Sequence, residues 1–114
     1  MQYALLIYVD PTAQDGWNDE ERRALTAEYL AVRDDARVTG GGHLQPVHTA
    51  TTIRVQDGET LVTDGPFADT KEVFGGYYLF DADDLDAAIE VASRIPAARM
   101  GGGVEIRPLV QLPR

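Results

Sequence analysis

The chain has 114 residues, 44% hydrophobic and 25% charged, which is the composition of one folded domain and not of a disordered segment. Ten Lys and Arg against nineteen Asp and Glu leave a net charge of −9, which argues against phosphate-neutralising nucleic-acid binding and against adsorption to anionic membranes. There is no cysteine, so disulfides, thiolate nucleophiles and Cys-ligated metals are excluded, and no apolar run approaches the ~20 residues of a membrane span.

Met1 leads directly into a strand-like segment without a basic leader. The expectation is a soluble cytoplasmic protein with a single domain over residues 1–114. Gln2 to Val9 reads as a strand with two apolar faces, Tyr3, Leu5, Ile7 and Val9 on one and Ala4, Leu6 and Tyr8 on the other. Such a strand needs cover on both sides. Helices of the same chain can supply one cover, and a partner subunit the other.

Asp10-Pro11 breaks the strand, and Asn18-Asp19-Glu20-Glu21 carries the capping-box signature of a helix start. Leu25, Tyr29, Val32 and Ala36 recur at helical spacing. Gly40-Gly41-Gly42 reads as the exit of that helix. Leu44 to His48 is extended around Pro46, and Thr51 to Gln56 alternates as a strand. Asp57-Gly58 is a type I′ hairpin signal, from which Glu59 to Thr63 returns. Asp64-Gly65-Pro66-Phe67 is a turn or loop. Glu72 to Phe80 is an aromatic strand, with Gly75-Gly76 marking a bulge or a close backbone approach.

A second helix opens on the acidic turn Asp81 to Asp84. Its expected buried stripe is Leu85, Ala88, Ile89 and Ala92, and Pro96 follows its end. Gly101-Gly102-Gly103 reads as another helix exit, leading to a last strand, Val104 to Leu109. The tail Pro113-Arg114 carries no signal. Strand, helix, strands, helix, strand is the order of an α+β ferredoxin-like sandwich, with two helices on one face of an antiparallel sheet. The other face is bare in a monomer, with Tyr8, Tyr78 and Phe80 as its expected residues, and an exposed apolar sheet predicts association.

Leu61-Val62-Thr63-Asp64-Gly65-Pro66-Phe67-Ala68-Asp69-Thr70-Lys71-Glu72, Gly75-Gly76-Tyr77-Tyr78, Asp83-Asp84-Leu85-Asp86-Ala87-Ala88 and Val104-Glu105-Ile106-Arg107-Pro108 resemble the DGPF family within the wider YCII-related group. The resemblance spans Tyr3 to about Leu109. It implies a ferredoxin-like fold and a homodimer whose sheets pack face to face, as in dimeric α+β barrels. It also implies a functional link to sigma-factor-like proteins, beside or fused to which some relatives are encoded. The wider group has been discussed as enzymes with a His–Asp pair whose His lies on the first helix. This chain has no His between Asn18 and Val38.

Asp64 is read either as a general acid or base at a dimer cleft or as the opener of the Gly65-Pro66 turn. Lys71, the only lysine, either anchors an anion or pairs with Asp69, Glu72 or Asp64. Bringing Asp64 and Lys71 together requires the Gly65–Thr70 loop to fold back, with Phe67 tucked inward as its anchor. Ligand-binding expectations fall on Phe67, Lys71, Glu72, His48 and Arg107. Glu105 and Arg107 share a face of the last strand and either pair or point into the cleft. His43 and His48 have no metal-ligand spacing, so no metal is expected there, though either can line a cleft as a neutral donor, His48 the better placed; no cofactor is expected. Tyr77, Tyr78 and Phe80 are read as core and interface before cofactor stackers. The leading reading is a dimeric small-molecule-binding domain around Asp64–Glu72. A cofactor-independent acid–base enzyme and a purely structural dimer stand beside it.

Overall fold

A computed structural model describes residues 1–112. The chain runs β1 (Gln2–Val9), α1 (Asp19–Arg33), β2 (Val38–His43), β3 (Thr51–Gln56), β4 (Glu59–Asp64), β5 (Val73–Asp81), α2 (Leu85–Ser93) and β6 (Gly103–Pro108), with 3-10 turns at Val47–Thr49 and Pro96–Arg99. Four strands form an antiparallel sheet in the order β2-β5-β1-β6, and β3 and β4 form a separate two-stranded hairpin. Without the hairpin this is the βαββαβ ferredoxin-like arrangement, each crossover helix lying on the same face.

Both helices start where their capping residues stand. The Asn18 side chain accepts from the Glu21 N–H at 2.8 Å, and the Glu21 carboxylate accepts from the Asn18 N–H at 3.3 Å. Asp84 accepts from the Ala87 N–H at 2.9 Å. Under the helices the core gathers Tyr3, Leu5 and Ile7 of β1, Tyr78 and Phe80 of β5, Val32 of α1, and Ala88 and Val91 of α2.

The register corrects the expected bare face. Tyr3 pairs with Phe80 and Leu5 with Tyr78, so both aromatics share the helix-covered face with the odd residues of β1. The open face instead carries Ala4, Leu6 and Tyr8 beside Leu79 and Tyr77. A bulge then changes the alternation of β5. Ile7 pairs with Gly76 and Tyr8 with Phe74, which leaves Gly75 as the extra residue. Strict alternation would have sent Phe74 to the core. The bulge sets it on the open face, its ring centroid 5.5 Å from that of Tyr8.

Gly40-Gly41-Gly42 is not a helix exit. α1 ends earlier, where the Asp34 N–H still donates to the Leu30 carbonyl, and Ala36 lies exposed beyond it. The glycines belong to edge strand β2, opposite Leu79, Tyr78 and Tyr77. A Cβ on Gly41 would stand 2.5 Å from the Tyr77 carbonyl oxygen, so the close approach of the strands requires glycine there. The second triplet is divided between a turn at Gly101 and the first residue of β6 at Gly103. The α2 stripe is also rotated. Ala88, Val91 and Ala92 are buried, while Leu85 and Ile89 are exposed. Both sides of this short helix are apolar, so periodicity alone does not choose between them.

The Cα envelope measures 48 × 44 × 18 Å, with a radius of gyration of 16.2 Å. A compact chain of about 100 residues has a radius near 13 Å. The excess comes from the flat two-layer body and from the hairpin, whose residues are nearly all exposed. No helix of the described residues is long and apolar enough to cross a membrane.

Candidate functional site on the open sheet face

The open face has an apolar floor and polar margins. Tyr8, Phe74, Tyr77 and Leu6 make the floor around the end of β1 where the hairpin connections begin. A Cβ on Gly42 would stand 3.4 Å from the Tyr77 ring, so the glycine edge strand gives that ring room to lie over it. At the far margin β6 places Arg107 opposite Ala4 and Glu105 opposite Leu6. These two exposed side chains approach to 3.7 Å, a loose pair in water.

The near margin is polar because of how β1 ends. The Asp10 carboxylate accepts from the Thr12 N–H at 2.9 Å and from the Thr12 hydroxyl at 2.7 Å, a local turn that closes the strand. Those bonds hold the Asp10 carboxyl below its ordinary range, and the positive charge of Lys71 adds to the effect. Register explains the neighbourhood. β1 and β5 stop pairing at Val9 and Val73, so the residues just before Val73 lie beside those just after Val9.

Lys71 therefore lies on the Asp10 side of the sheet, near enough for its charge to act on that carboxyl. Among the described residues no ion pair joins it to Asp64, Asp69 or Glu72. Asp64 ends β4 opposite Thr51, exposed at the hairpin base. The next residue is fixed there, its N–H donating to the Ala50 carbonyl at 2.8 Å and its own carbonyl accepting from Thr52 Oγ1 at 2.7 Å. Glu72 is half-buried, and its carbonyl accepts from Thr70 Oγ1. His48 is exposed in the 3-10 turn, and His43 ends β2 opposite Gly76.

Phe67 does not tuck inward. It is 70% exposed, with the Arg54 guanidinium 4.5 Å above its ring. The reason is the hairpin's position: it projects from the body, so the loop has no core to enter, and a cation from β3 is the nearest partner. The fold thus gathers Lys71 and Glu72 at the near margin, puts Arg107 at the far one, and leaves Asp64, Phe67 and His48 with the hairpin. Asp10, Thr12 and Phe74 border the candidate site and Arg54 stands beside Phe67 on the hairpin, none of them among the residues expected there. Asp-Pro-Thr was a readable turn signal for the first two, whereas Arg54 and Phe74 depend on the hairpin and the bulge. Among the described residues no three acidic or histidine side chains converge as a metal-ion site requires.

Two helices under one face of a four-stranded antiparallel sheet, with the opposite face uncovered and aromatic, define a ferredoxin-like α+β domain. The chain belongs to the YCII-related domain family, whose model matches residues 1–113. It is 37% identical over 114 residues to the uncharacterised protein R00369 of Rhizobium meliloti (strain 1021), covering 96% of this chain and 92% of that protein. Its fold is similar to that of the solved 5-chloro-2-hydroxyhydroquinone dehydrochlorinase (TftG) from Burkholderia phenoliruptrix AC1100 in complex with 2,5-dihydroxybenzoquinone. That likeness has a TM-score of 0.52 at 15% identity, over 96% of this chain and 94% of the other.

Proposed function

We propose that this protein is a homodimeric small-molecule-binding domain whose ligand lies on the open sheet face, between the Tyr8–Phe74 floor and the Lys71 margin. The observation that carries the reading is the pairing of a half-buried aromatic floor, uncovered by its own chain, with a lone lysine. Aromatic rings offer stacking area, and a lysine at the margin of an apolar surface favours a planar anion. The bulge at Gly75 is what brings Phe74 to that floor. The neighbouring fold bound to 2,5-dihydroxybenzoquinone supports a flat, oxygen-rich aromatic or quinonoid ligand as the class to test first.

The second reading is acid–base chemistry without a cofactor, favoured by Asp64 at the hairpin base and Asp10 beside Lys71. A general base must reach its proton within hydrogen-bond distance, and of these two only Asp10 borders the floor within a single chain. A link to a sigma-factor-like protein is a further proposal from family resemblance, and pull-down against such a partner tests it. The ligand test is a thermal-shift and calorimetric panel of hydroxylated benzoates, hydroquinones and 2,5-dihydroxybenzoquinone, followed by turnover assays on binders. Saturable binding lost in Lys71→Met supports the reading. A panel in which no member binds, or binders indifferent to Lys71 and Phe74, contradicts it.

A further inference from the structure

The hairpin is the part of the molecule its own chain leaves unsupported. β3 and β4 pair from Thr51↔Asp64 to Gln56↔Glu59, and the pairing puts Ile53, Val55 and Val62 on one face of the ribbon. Those residues are 55%, 69% and 65% exposed. The opposite face carries Arg54, Gln56, Glu59 and Thr63 around Leu61. This is amphipathic alternation with nothing beneath the apolar side. An isolated two-stranded hairpin is only marginally stable in water. The sequence nevertheless specifies it strongly, with a positive-φ Asp57-Gly58 turn and β-branched cross-strand pairs. A well-specified ribbon with an unburied apolar face is built for a surface outside its own chain.

The rest of the molecule supplies a matching surface. The open sheet face is also apolar and uncovered, and the hairpin connections leave the sheet at that face's aromatic end, where the Leu44 N–H donates to the Gly75 carbonyl. Ile53, Val55 and Val62 are the exposed apolar residues of the ribbon face, and Phe74, 38% exposed, lies at the aromatic end of the sheet face, so a second copy offers each of the two surfaces an apolar counterpart. Two-fold symmetry would satisfy both surfaces at once, each ribbon on the other copy.

We infer that the β3–β4 hairpin is an exchanged arm whose Ile53–Val55–Val62 face seats on a second copy of this chain, at the Tyr8–Phe74 end of that copy's open face. Each site is then walled by two chains: the floor and Lys71 from one, the arm from the other. The inference rests on the homodimer reading above and adds which element makes the exchange and why one chain alone has an incomplete site.

The test combines amide hydrogen exchange with sedimentation equilibrium on the full chain, at low and at high micromolar concentration. The expected result is that amides of β3 and β4 are protected in the assembled protein and lose protection on dilution, while β1 and β5 stay protected. Ile53→Lys/Val62→Lys should weaken self-association by roughly tenfold or more, with β1 and β5 protection intact to show that the body is folded. A dimer whose arm exchanges like free peptide, or an arm variant that associates like the parent, overturns the exchange and leaves the homodimer standing. A folded monomeric parent overturns both. Arm protection that persists where sedimentation shows monomer also overturns the exchange, because the ribbon would then be stable by itself.

Discussion

The Tyr78 hydroxyl donates a hydrogen bond to the Tyr29 carbonyl at 2.9 Å, fastening the core face of β5 to α1. Burial raises the Tyr78 phenol above its ordinary pKa, which keeps it a neutral donor throughout the physiological range. The bond fixes the rotation of α1 over the sheet at the strand whose other face carries Tyr77 and Leu79.

Tyr78→Phe should therefore lower stability by about 0.5–1.5 kcal/mol. The Tyr29 carbonyl lies within α1 and also serves the helix ladder, which sets the value toward the low end. Urea denaturation with an unchanged slope and a lower midpoint is the expected outcome. A loss of several kcal/mol would mean that the hydroxyl organises more of the core than one contact.

Asp35 ties the chain after α1 to the end of α2. Its carboxylate accepts from the Arg37 N–H at 2.9 Å, from Arg37 Nε and Nη2 at 3.0 and 2.8 Å, and from Arg94 Nη2 at 3.2 Å. The Arg37 guanidinium, then its backbone N–H, then Arg94 hold the carboxyl far below the ordinary carboxylate range. A depressed folded-state pKa adds stability that is complete above the unfolded-state value, near 3.8, and is lost as pH falls below it. Urea midpoints should thus fall between about pH 5 and about pH 2.5, and Asp35→Asn should flatten part of that fall. At neutral pH the same variant should cost about 1–2 kcal/mol, since both arginines are half-exposed and water screens the pair. An unchanged acid limb in Asp35→Asn would contradict the assignment.

Gly41→Ala places a methyl group 2.5 Å from the Tyr77 carbonyl oxygen, across the β2–β5 pairing. Backbone atoms on both sides prevent easy relief, so the variant should lose about 1–3 kcal/mol. Gly58→Ala offers a contrast, with open space around its Cβ but a positive φ of 79° in the hairpin turn. It should disturb the arm and leave the body intact. Thermal melting of the two variants beside hydrogen exchange of β2 and β3 separates these effects.

The fold was legible in the sequence because its determinants are local or periodic. Asn18 and Glu21 announce a capping box, Asp57-Gly58 a tight hairpin, and the odd residues of β1 a core face. Three features needed the tertiary structure. Gly40-Gly41-Gly42 looks like a helix exit but accommodates a close strand approach, which depends on Tyr77 and Tyr78 far along the chain. The core face of β5 follows from its register with β1, which set Tyr78 and Phe80 inward against expectation. Phe74 reaches the open face only because Gly75 is an extra residue. At the site, Asp64 and Lys71 are close in sequence, but Asp64 stays at the hairpin base while β1–β5 pairing sets Lys71 on the Asp10 side of the sheet. Pro113 and Arg114, where the sequence carried no signal, lie outside the described residues.

Lys71→Met should leave stability within about 0.5 kcal/mol of the parent, because the side chain is exposed and in no ion pair among the described residues. It should weaken binding of an anionic ligand several-fold, and added salt should weaken the parent in the same direction. Asp64→Asn provides the comparison. A large stability loss in Lys71→Met with ligand affinity retained would make the lysine part of the scaffold.

On the reading proposed above, the uncovered sheet face is a functional surface closed by a second copy. Sedimentation equilibrium at micromolar concentration, on the parent and on Leu6→Arg, tests it most directly. The account predicts a parent species of twice 12.5 kDa and dissociation of the folded variant, whose arginine would be desolvated on the shared face. A well-folded parent of 12.5 kDa, or a Leu6→Arg dimer as tight as the parent, would contradict it.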